Sequence, residues 1–198
     1  MALKITLVGS RFFGAAVLDQ LVQLDITVLQ VVAPGADDRL LLRAQALKLP
    51  AILQHDPKHV PAGEIANGTE LIVAAHTHAR VDADALAKSR LGGIGYHPSL
   101  LPRHRGIAAV EWTIKCGDAI AGGSIYHLAD RMDAGAIAAQ DWCFVKPGES
   151  ARELWERALA PMGIRLLAQV VAGVSASGVL PAQPQDEQFA TLAPKQPR

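Results

Sequence analysis

The sequence LKITLVGSRFFGAAVLDQLVQLDITVLQVVAPG, residues 3–35, decides the fold of this chain. A β-branched apolar run ends at Gly9, the segment 13–24 carries apolar residues at helical spacing, and a second apolar run ends before Pro34. These periods predict a strand, a helix and a second strand. Strands and helices in this alternation build a parallel sheet with right-handed connections.

The residues that follow continue the alternation. A helical pattern at 40–47 leads to the strand-like residues 51–53, and the run LIVAA at 71–75 is apolar throughout. Continuous apolar runs suit strands that are covered on both faces. The sequence therefore predicts a Rossmann-like α/β fold, which is an open, mostly parallel sheet with helices on both faces.

The sequence of the carboxyl-terminal half predicts an antiparallel pair of strands. Two β-like runs, 123–128 and 136–145, follow one another without a helix between them, which indicates an antiparallel pair added to the sheet. A long helical stretch at 149–174 contains Pro161, which we expect to bend it. The other predicted elements are a connection with one helical turn at 55–68, a helix at 82–88, a strand at 92–97 and a helix at 106–115.

The composition is that of an ordinary globular chain. It has 198 residues, of which 50% are hydrophobic, and its 19 basic residues balance 19 acidic ones. A chain of this size supports one domain over residues 1–178, followed by an extended, proline-rich tail at 179–198. The balanced charge gives no reason to expect a nucleic-acid partner.

The N-terminal residues, the apolar runs and the two cysteines predict a cytoplasmic protein. We expect no membrane partner, because no apolar run reaches the length of a span and residues 1–9 lack the features of a signal peptide. Cys116 and Cys143 lie far apart without metal-type spacing, so we expect two reduced thiols. No pattern in the sequence predicts the oligomeric state.

The turn from Gly9 to Gly14 raises the question of a nucleotide cofactor. Dinucleotide-binding turns have the pattern G-x-G-x-x-G, but Arg11 stands at the position of the second glycine. In addition, no acidic residue ends the second predicted strand. We therefore expect no nucleotide cofactor and assign the turn to packing.

His76-Thr77-His78 follows the apolar run at 71–75 and raises the question of a metal. Zinc sites need three or four protein ligands, and the sequence offers no obvious third ligand. We expect no metal, and a place in a substrate pocket beside His97 is the alternative for both histidines.

His97 and Asp133 are the candidate catalytic pair. His97 ends a predicted strand and begins a loop that Pro98 and Pro102 stiffen, while Asp133 lies in a turn between the two later strands. A histidine exchanges protons near neutral pH, and a carboxylate orients its ring and stabilises its charged form, which suits acyl transfer. For the two residues alone, a structural ion pair is the alternative. Ser99 and Arg103 in the same loop are further candidate pocket residues.

Two motifs carry a family resemblance. The runs GYHPSLLPRHRG at 95–106 and MDAGAI at 132–137 resemble the signature N-x-H-x-S-L-L-P-x-x-x-G and the D-x-G turn of folate-dependent formyltransferases. The likeness is densest from 92 to 140 and extends to VLPAQPQDE at 179–187. Within the family, the chain resembles the hydrolase domain of 10-formyltetrahydrofolate dehydrogenases.

The resemblance implies a site for 10-formyltetrahydrofolate as co-substrate, with His97 and Asp133 as catalytic residues. It also implies an unknown small acceptor, which is an amine or water. Backbone groups of two segments would hold the folate: Ala79, Arg80 and Val81 after the central strand, and Leu128, Ala129, Asp130, Arg131 and Met132 before the catalytic aspartate. Gly95 is a further residue that the resemblance places at the folate site.

Gly95 is the departure from the family pattern. It stands where the family has a catalytic asparagine, and loss of one oxyanion donor costs about a hundredfold to a thousandfold in rate. The resemblance thus favours a formyltransferase or a hydrolase-like enzyme. The alternative is a catalytically weakened folate-binding or regulatory protein of the same fold. A metal-dependent deformylase that uses His76 and His78 is the least favoured function.

Overall fold

The computed structural model describes residues 2–195. These residues form an α/β structure whose elements alternate along the first half of the chain. Nine strands are present in this range: β1 (Lys4–Gly9), β2 (Thr27–Ala33), β3 (Ala51–Leu53), β4 (His59–Val60), β5 (Leu71–Ala75), β6 (Arg80–Val81), β7 (Gly93–His97), β8 (Ile120–His127) and β9 (Ile137–Phe144).

Helices connect most of these strands. The α-helices are α1 (Arg11–Gln23), α2 (Arg39–Ala46), α3 (Ala83–Ala87), α4 (Ala109–Lys115), α5 (Ala151–Leu154) and α6 (Ala160–Ser177). A π-helical turn at Trp155–Leu159 joins α5 to α6, and short 3₁₀ turns lie at Ala62–Glu64 and Glu187–Phe189.

The main sheet has seven strands in the order β3-β2-β1-β5-β7-β8-β9. The pairs from β3 to β7 are parallel, and β8 and β9 are antiparallel. A separate two-stranded sheet pairs β4 with β6. The predicted Rossmann-like, mostly parallel sheet and its antiparallel pair are confirmed.

The described chain divides into two compact units. The first contains residues 2–95 and 168–180, and the second contains residues 96–167 and 181–195. The single catalytic domain predicted for residues 1–178 stays a prediction.

The core of the first unit surrounds β1 and β5, which α1 contacts. All five residues of β5 are buried, as their continuous apolar run predicted. Gly9 allows a close approach at the end of β1, because a Cβ atom there would lie 2.2 Å from the carbonyl oxygen of Ala75. Truncating one large core side chain to alanine typically costs about 2–5 kcal/mol. The fully buried side chains of this unit include Ile5, Leu7, Leu18, Leu21, Leu40, Leu71 and Ile72.

In the second unit, a proline shapes the long helix. Pro161 has no backbone N–H and crowds the carbonyl group four residues earlier, and the helix widens into the π-helical turn just before it. The Tyr96 hydroxyl donates to the carbonyl oxygen of Leu159 at 2.7 Å. The predicted helix is therefore continuous, with a π-helical turn near Pro161.

The sequence has no uninterrupted apolar run as long as a membrane span, but a helix that contains charged residues can still meet the criterion of length and mean hydropathy. In residues 2–195, one continuous helix, Ala151–Ser177, meets that criterion, since an 18-residue window has a mean hydropathy of 1.5. However, 56% of that window is buried within the protein. A core helix of a globular protein passes the same test, so the finding is weak evidence for a membrane span.

The tail predicted at 179–198 has little regular structure, but it is docked against the second unit. Residues 181–193 form bridges from Gln183 to Ile137 and from Leu192 to Arg105. The last three residues of the predicted tail lie outside the described range. The docked segment, residues 181–193, is called the strap below.

Candidate active site

His97 is the last residue of β7, and only 6% of its surface is exposed. Its Nε2 atom lies 2.8 Å from the carbonyl oxygen of His104. Because a carbonyl oxygen only accepts, Nε2 carries a hydrogen and donates it, and this assigns the tautomer. The Nδ1 atom is therefore the nitrogen that is available for proton exchange.

Asp133 faces that nitrogen. Its Oδ2 atom lies 3.5 Å from Nδ1 of His97, and the two side chains are only 10% and 7% exposed, respectively. The same oxygen accepts the backbone N–H of Gly106 at 2.8 Å. Asp133 has a left-handed φ of 51°, and a Cβ atom at nearby Gly135 would lie 1.8 Å from the His127 carbonyl oxygen. The turn thus needs Gly135 in order to bring the carboxylate into place.

The electrostatics of His97 favour a neutral ring. Burial lowers the pKa of His97, the charge of Asp133 and the bond to the His104 carbonyl oppose this shift, and the net shift is downward. A neutral imidazole with a free Nδ1 is a proton acceptor, and the adjacent carboxylate stabilises the imidazolium once it forms. The pair is therefore arranged to take up one proton.

Tyr126 in β8 is a neighbour of this pair that the sequence reasoning missed. Its ring meets the His97 ring edge-on, with centroids 6.4 Å apart and an interplanar angle of 87°. Burial, followed by the charge of Asp133 and hydrogen bonding to it, raises the pKa of Tyr126 well above its ordinary value. The hydroxyl consequently stays protonated and can donate to the carboxylate.

The loop after His97 is fixed by its own side chains. Ser99 is buried and donates through Oγ to the Arg103 carbonyl oxygen at 2.6 Å. The Arg103 guanidinium donates to Asp118, and the buried His104 lies 2.7 Å from the same carboxylate through Nε2. These contacts hold the loop itself, and a pocket role for Ser99 and Arg103 stays a prediction.

His76 and His78 lie in the first unit, directly after β5. The Ser10 hydroxyl donates to the His76 carbonyl oxygen at 2.6 Å and lies 3.0 Å from His76 Nδ1. Burial, followed by the charges of His78 and Arg11, lowers the pKa of His76. The two rings meet edge-on at 5.5 Å. In the part of the chain that the structure describes, no group of three or more His, Cys, Asp or Glu residues could hold a metal ion.

Comparison with known proteins gives the family. Residues 12–171 match the family model described as Formyl transferase. The chain belongs to the formyl transferase family. It is 35% identical over 200 residues to the mitochondrial 10-formyltetrahydrofolate dehydrogenase of Mus musculus, a match that covers 96% of this chain and 22% of that protein. The cytosolic enzyme of the same species is 34% identical over 201 residues, with the same coverage. The chain thus spans about a fifth of the length of these relatives.

A solved formyl transferase structure confirms the fold. Glycinamide ribonucleotide transformylase 1 from Symbiobacterium toebii aligns with a TM-score of 0.78 over 93% of this chain and 95% of that chain. The two sequences are 21% identical in that alignment, so the likeness speaks for the fold alone.

The residues predicted to bind folate are Gly95 and two short segments. In the first unit, Gly95 is buried opposite Ala74 in the parallel pair of β5 and β7. Most of the turn before Asp133 is exposed, including 72% of Met132. Folate binding by both segments stays a prediction. The first segment is the buried Ala79, exposed Arg80 and buried Val81, and the second is Leu128, Ala129, Asp130, Arg131 and Met132.

Proposed function

We propose that this formyl transferase uses 10-formyltetrahydrofolate as a formyl donor and passes the formyl group to water or to a small amine. The observation that carries the proposal is the buried pair of His97 and Asp133, whose Nδ1 and Oδ2 atoms lie 3.5 Å apart. The match to 10-formyltetrahydrofolate dehydrogenases over 96% of the chain supports the donor.

In the proposed reaction, an oxygen or nitrogen nucleophile attacks the formyl carbon. With water, one proton passes to Nδ1 of His97, and the carbon becomes tetrahedral with one negatively charged oxygen. Collapse then breaks the bond from the carbon to N10 of the folate, and the imidazolium returns its proton to N10. The products are tetrahydrofolate and formic acid, which ionises in solution. Asp133 stabilises the imidazolium in between.

The start of α1 is already occupied by a carboxylate of the chain. The backbone N–H of Arg11 donates to both carboxylate oxygens of Asp38, at 2.9 and 3.0 Å, and Leu40 N–H donates to one of them at 2.8 Å. A helix start normally attracts anions, and here a carboxylate of the chain already occupies it. A phosphate at this position would meet a negative charge.

The proposed partners are therefore a folate and a small acceptor, and the proposed location is the cytoplasm. The relatives include a mitochondrial and a cytosolic form, so the family occurs in both compartments.

Substitution of His97 tests the proposal. The substitution His97→Ala removes the proton acceptor and is expected to lower tetrahydrofolate release about a hundredfold or more. His59→Ala is the matched control, because His59 is an exposed histidine of the first unit that lies 2.9 Å from Asp82. The rate of tetrahydrofolate release is measured by absorbance. If His97→Ala releases tetrahydrofolate at the wild-type rate, the proposal is ruled out.

Gly95 favours a second candidate function, which is folate binding without efficient catalysis. The glycine offers no side-chain donor to an oxyanion. This candidate predicts that the wild-type protein binds 10-formyltetrahydrofolate in a calorimeter while no tetrahydrofolate forms. Turnover by the wild-type protein that His97→Ala abolishes would exclude it.

A further inference from the structure

The strap runs along the loop that holds the catalytic pair. Arg105 exchanges backbone hydrogen bonds with it: its N–H donates to the Thr191 carbonyl oxygen at 2.8 Å, and its carbonyl oxygen accepts from Ala193 at 2.6 Å. The N–H of His104 donates to Oγ1 of Thr191 at 2.8 Å. The backbone of His104 contacts His97, and the backbone of Gly106 contacts Asp133. The strap therefore binds the same stretch of backbone that contacts the catalytic pair.

The approach is close at Gly106. A Cβ atom at that position would lie 2.7 Å from the carbonyl oxygen of Ala193, and Gly106 has a φ of 122°. A side chain there would push the strap away from the loop and strain the backbone. The glycine that donates to Asp133 is therefore also the glycine that lets the strap dock.

Arg105 attaches the strap through its side chain. Its guanidinium is buried, with 5% of the side chain exposed, and it donates to Gln185 Oε1 from Nε at 3.1 Å and from Nη2 at 2.6 Å. It also donates to both oxygens of Glu187, at 3.0 and 2.8 Å. A buried guanidinium needs such partners, since an unpaired charge in the interior is strongly destabilising.

Gln185 connects this guanidinium to the turn of Asp133. Its Nε2 group donates to the carbonyl oxygen of Asp133 at 2.8 Å and to that of Gly135 at 2.7 Å. One side-chain amide thus accepts from the loop that contacts His97 and donates to the turn that presents the carboxylate. Both its donor hydrogens and its oxygen are used.

We propose that Gln185 and Arg105 are positioning residues that set the separation between His97 and Asp133 by tying the turn to the loop through the strap. The proposal rests on the proposed function of that pair. Neither residue touches the reacting atoms. Their effect passes through the backbone of residues 133–135 and 104–106. Because displacement of a catalytic group by about 1 Å costs about a hundredfold in rate, a loosened turn is expected to lower kcat.

The decisive variant is Gln185→Glu. It keeps the size of the side chain and an oxygen partner for Arg105, but it turns an oxygen instead of an N–H toward the two carbonyl groups. We expect kcat for tetrahydrofolate release to fall about tenfold to a hundredfold with little change in KM for the folate. The matched control is Asp186→Asn, a neighbour on the strap whose side chain accepts from Gln188 N–H at 3.0 Å.

A second readout does not depend on turnover. The titratable groups that face the His97 ring are Asp133, His104 and Tyr126. A shift of the Asp133 turn changes the field at His97, so Gln185→Glu should move the midpoint of the His97 ring titration followed by NMR. If the wild-type protein releases no tetrahydrofolate, the proposed function fails, and the NMR titration alone decides the role of Gln185.

The proposal is supported if Gln185→Glu and the uncharged Gln185→Ala both lower kcat and move the His97 midpoint while Asp186→Asn changes neither. If only Gln185→Glu moves the midpoint, the shift comes from the added charge and the proposal fails. It is overturned if Gln185→Glu keeps the wild-type midpoint, or if any loss of kcat merely follows a loss of thermal stability that the control shares. Should Gln185→Glu fail to fold, Gln185→Ala removes the same two donors without adding a charge and is judged by the same criteria.

Discussion

His97 donates its Nε2 hydrogen to the carbonyl oxygen of His104 at 2.8 Å. This bond turns the other ring nitrogen toward Oδ2 of Asp133, 3.5 Å away, which is longer than an ordinary hydrogen bond. A bare imidazole nitrogen and a carboxylate oxygen repel each other until one proton lies between them. The resting pair is therefore poised to accept a single proton, and the substitutions below test each side of it.

Substitution of Asp133 by asparagine should separate charge from shape. The amide oxygen can still accept the N–H of Gly106, but the negative charge that raises the pKa of His97 is lost. We expect the His97 titration to move to lower pH and kcat to fall about a hundredfold or more, because the imidazolium loses its stabilising partner. NMR titration and tetrahydrofolate release measure the two effects. An unchanged His97 midpoint would show that the carboxylate charge does not act on the ring.

The spacing of apolar residues along the sequence predicted many of the strands and helices. The run Leu71–Ala75 became β5 with the predicted bounds, because a strand buried on both faces leaves an unbroken apolar run. The two-residue strands β4 and β6 are too short to show any period, so only a connection was predicted at 55–68 and a loop after the central strand at 79–81. The helix expected from Gly106 begins at Ala109, because Gly106 has a left-handed φ and its N–H is bound to Asp133.

The proximity of the candidate catalytic pair was predictable because a motif named each residue. His97 and Asp133 came together as the motifs implied, whereas Tyr126 looked like an ordinary strand aromatic, and its neighbour Asp133 is seven positions away along the chain. Arg105 and Gln185 are 80 residues apart, and no local pattern signals a hydrogen bond of that range. The composition of the strap indicated an extended chain, but composition alone carries no information on what such a chain contacts.

The stability of the protein should fall in mildly acidic solution. His97 has a pKa below its ordinary value of 6.5 when folded, so the unfolded chain binds the proton more readily. The contribution of His97 to the free energy of unfolding is therefore fully present above about pH 6.5. It is lost as the pH falls through the folded pKa, by at most about 1.4 kcal/mol per pH unit. His76, whose pKa is also lowered, acts in the same direction.

Urea unfolding at several pH values between 7.5 and 5.5 measures this loss. The variant His97→Gln, whose amide can still donate to the His104 carbonyl, should show a shallower decline than the wild-type protein. His59→Gln is the control, because it makes the same substitution at an exposed histidine. An identical slope in wild type and His97→Gln would contradict the assignment of the loss to His97.

Removal of the Tyr126 hydroxyl should strengthen the effect of the Asp133 charge on the pKa of His97. Tyr126→Phe keeps the ring against His97 but removes the O–H that faces the carboxylate. Asp133 then acts more strongly on His97, so we expect the His97 midpoint to rise. Tyr96→Phe is the matched control, because it loses a hydroxyl bond to Leu159 and should cost about 1 kcal/mol of stability without moving the midpoint. Equal midpoints in the wild-type protein and Tyr126→Phe would contradict the predicted charge effect.

A donor restored at Gly95 should increase transfer to amines. The substitution Gly95→Asn places an amide where the family motif has one, and a preorganised donor to the oxyanion is worth about a hundredfold to a thousandfold in rate. Because Gly95 is buried in β7, the new side chain also has a packing cost. Gly95→Ala, which adds a Cβ atom without a donor, measures that cost by itself. The ratio of formylated amine to formate, measured for both variants with a set of amino sugars and amino acids, isolates the effect of the amide. A ratio in Gly95→Asn no higher than in Gly95→Ala would show that the oxyanion is stabilised by other groups and that the glycine does not limit the choice of acceptor.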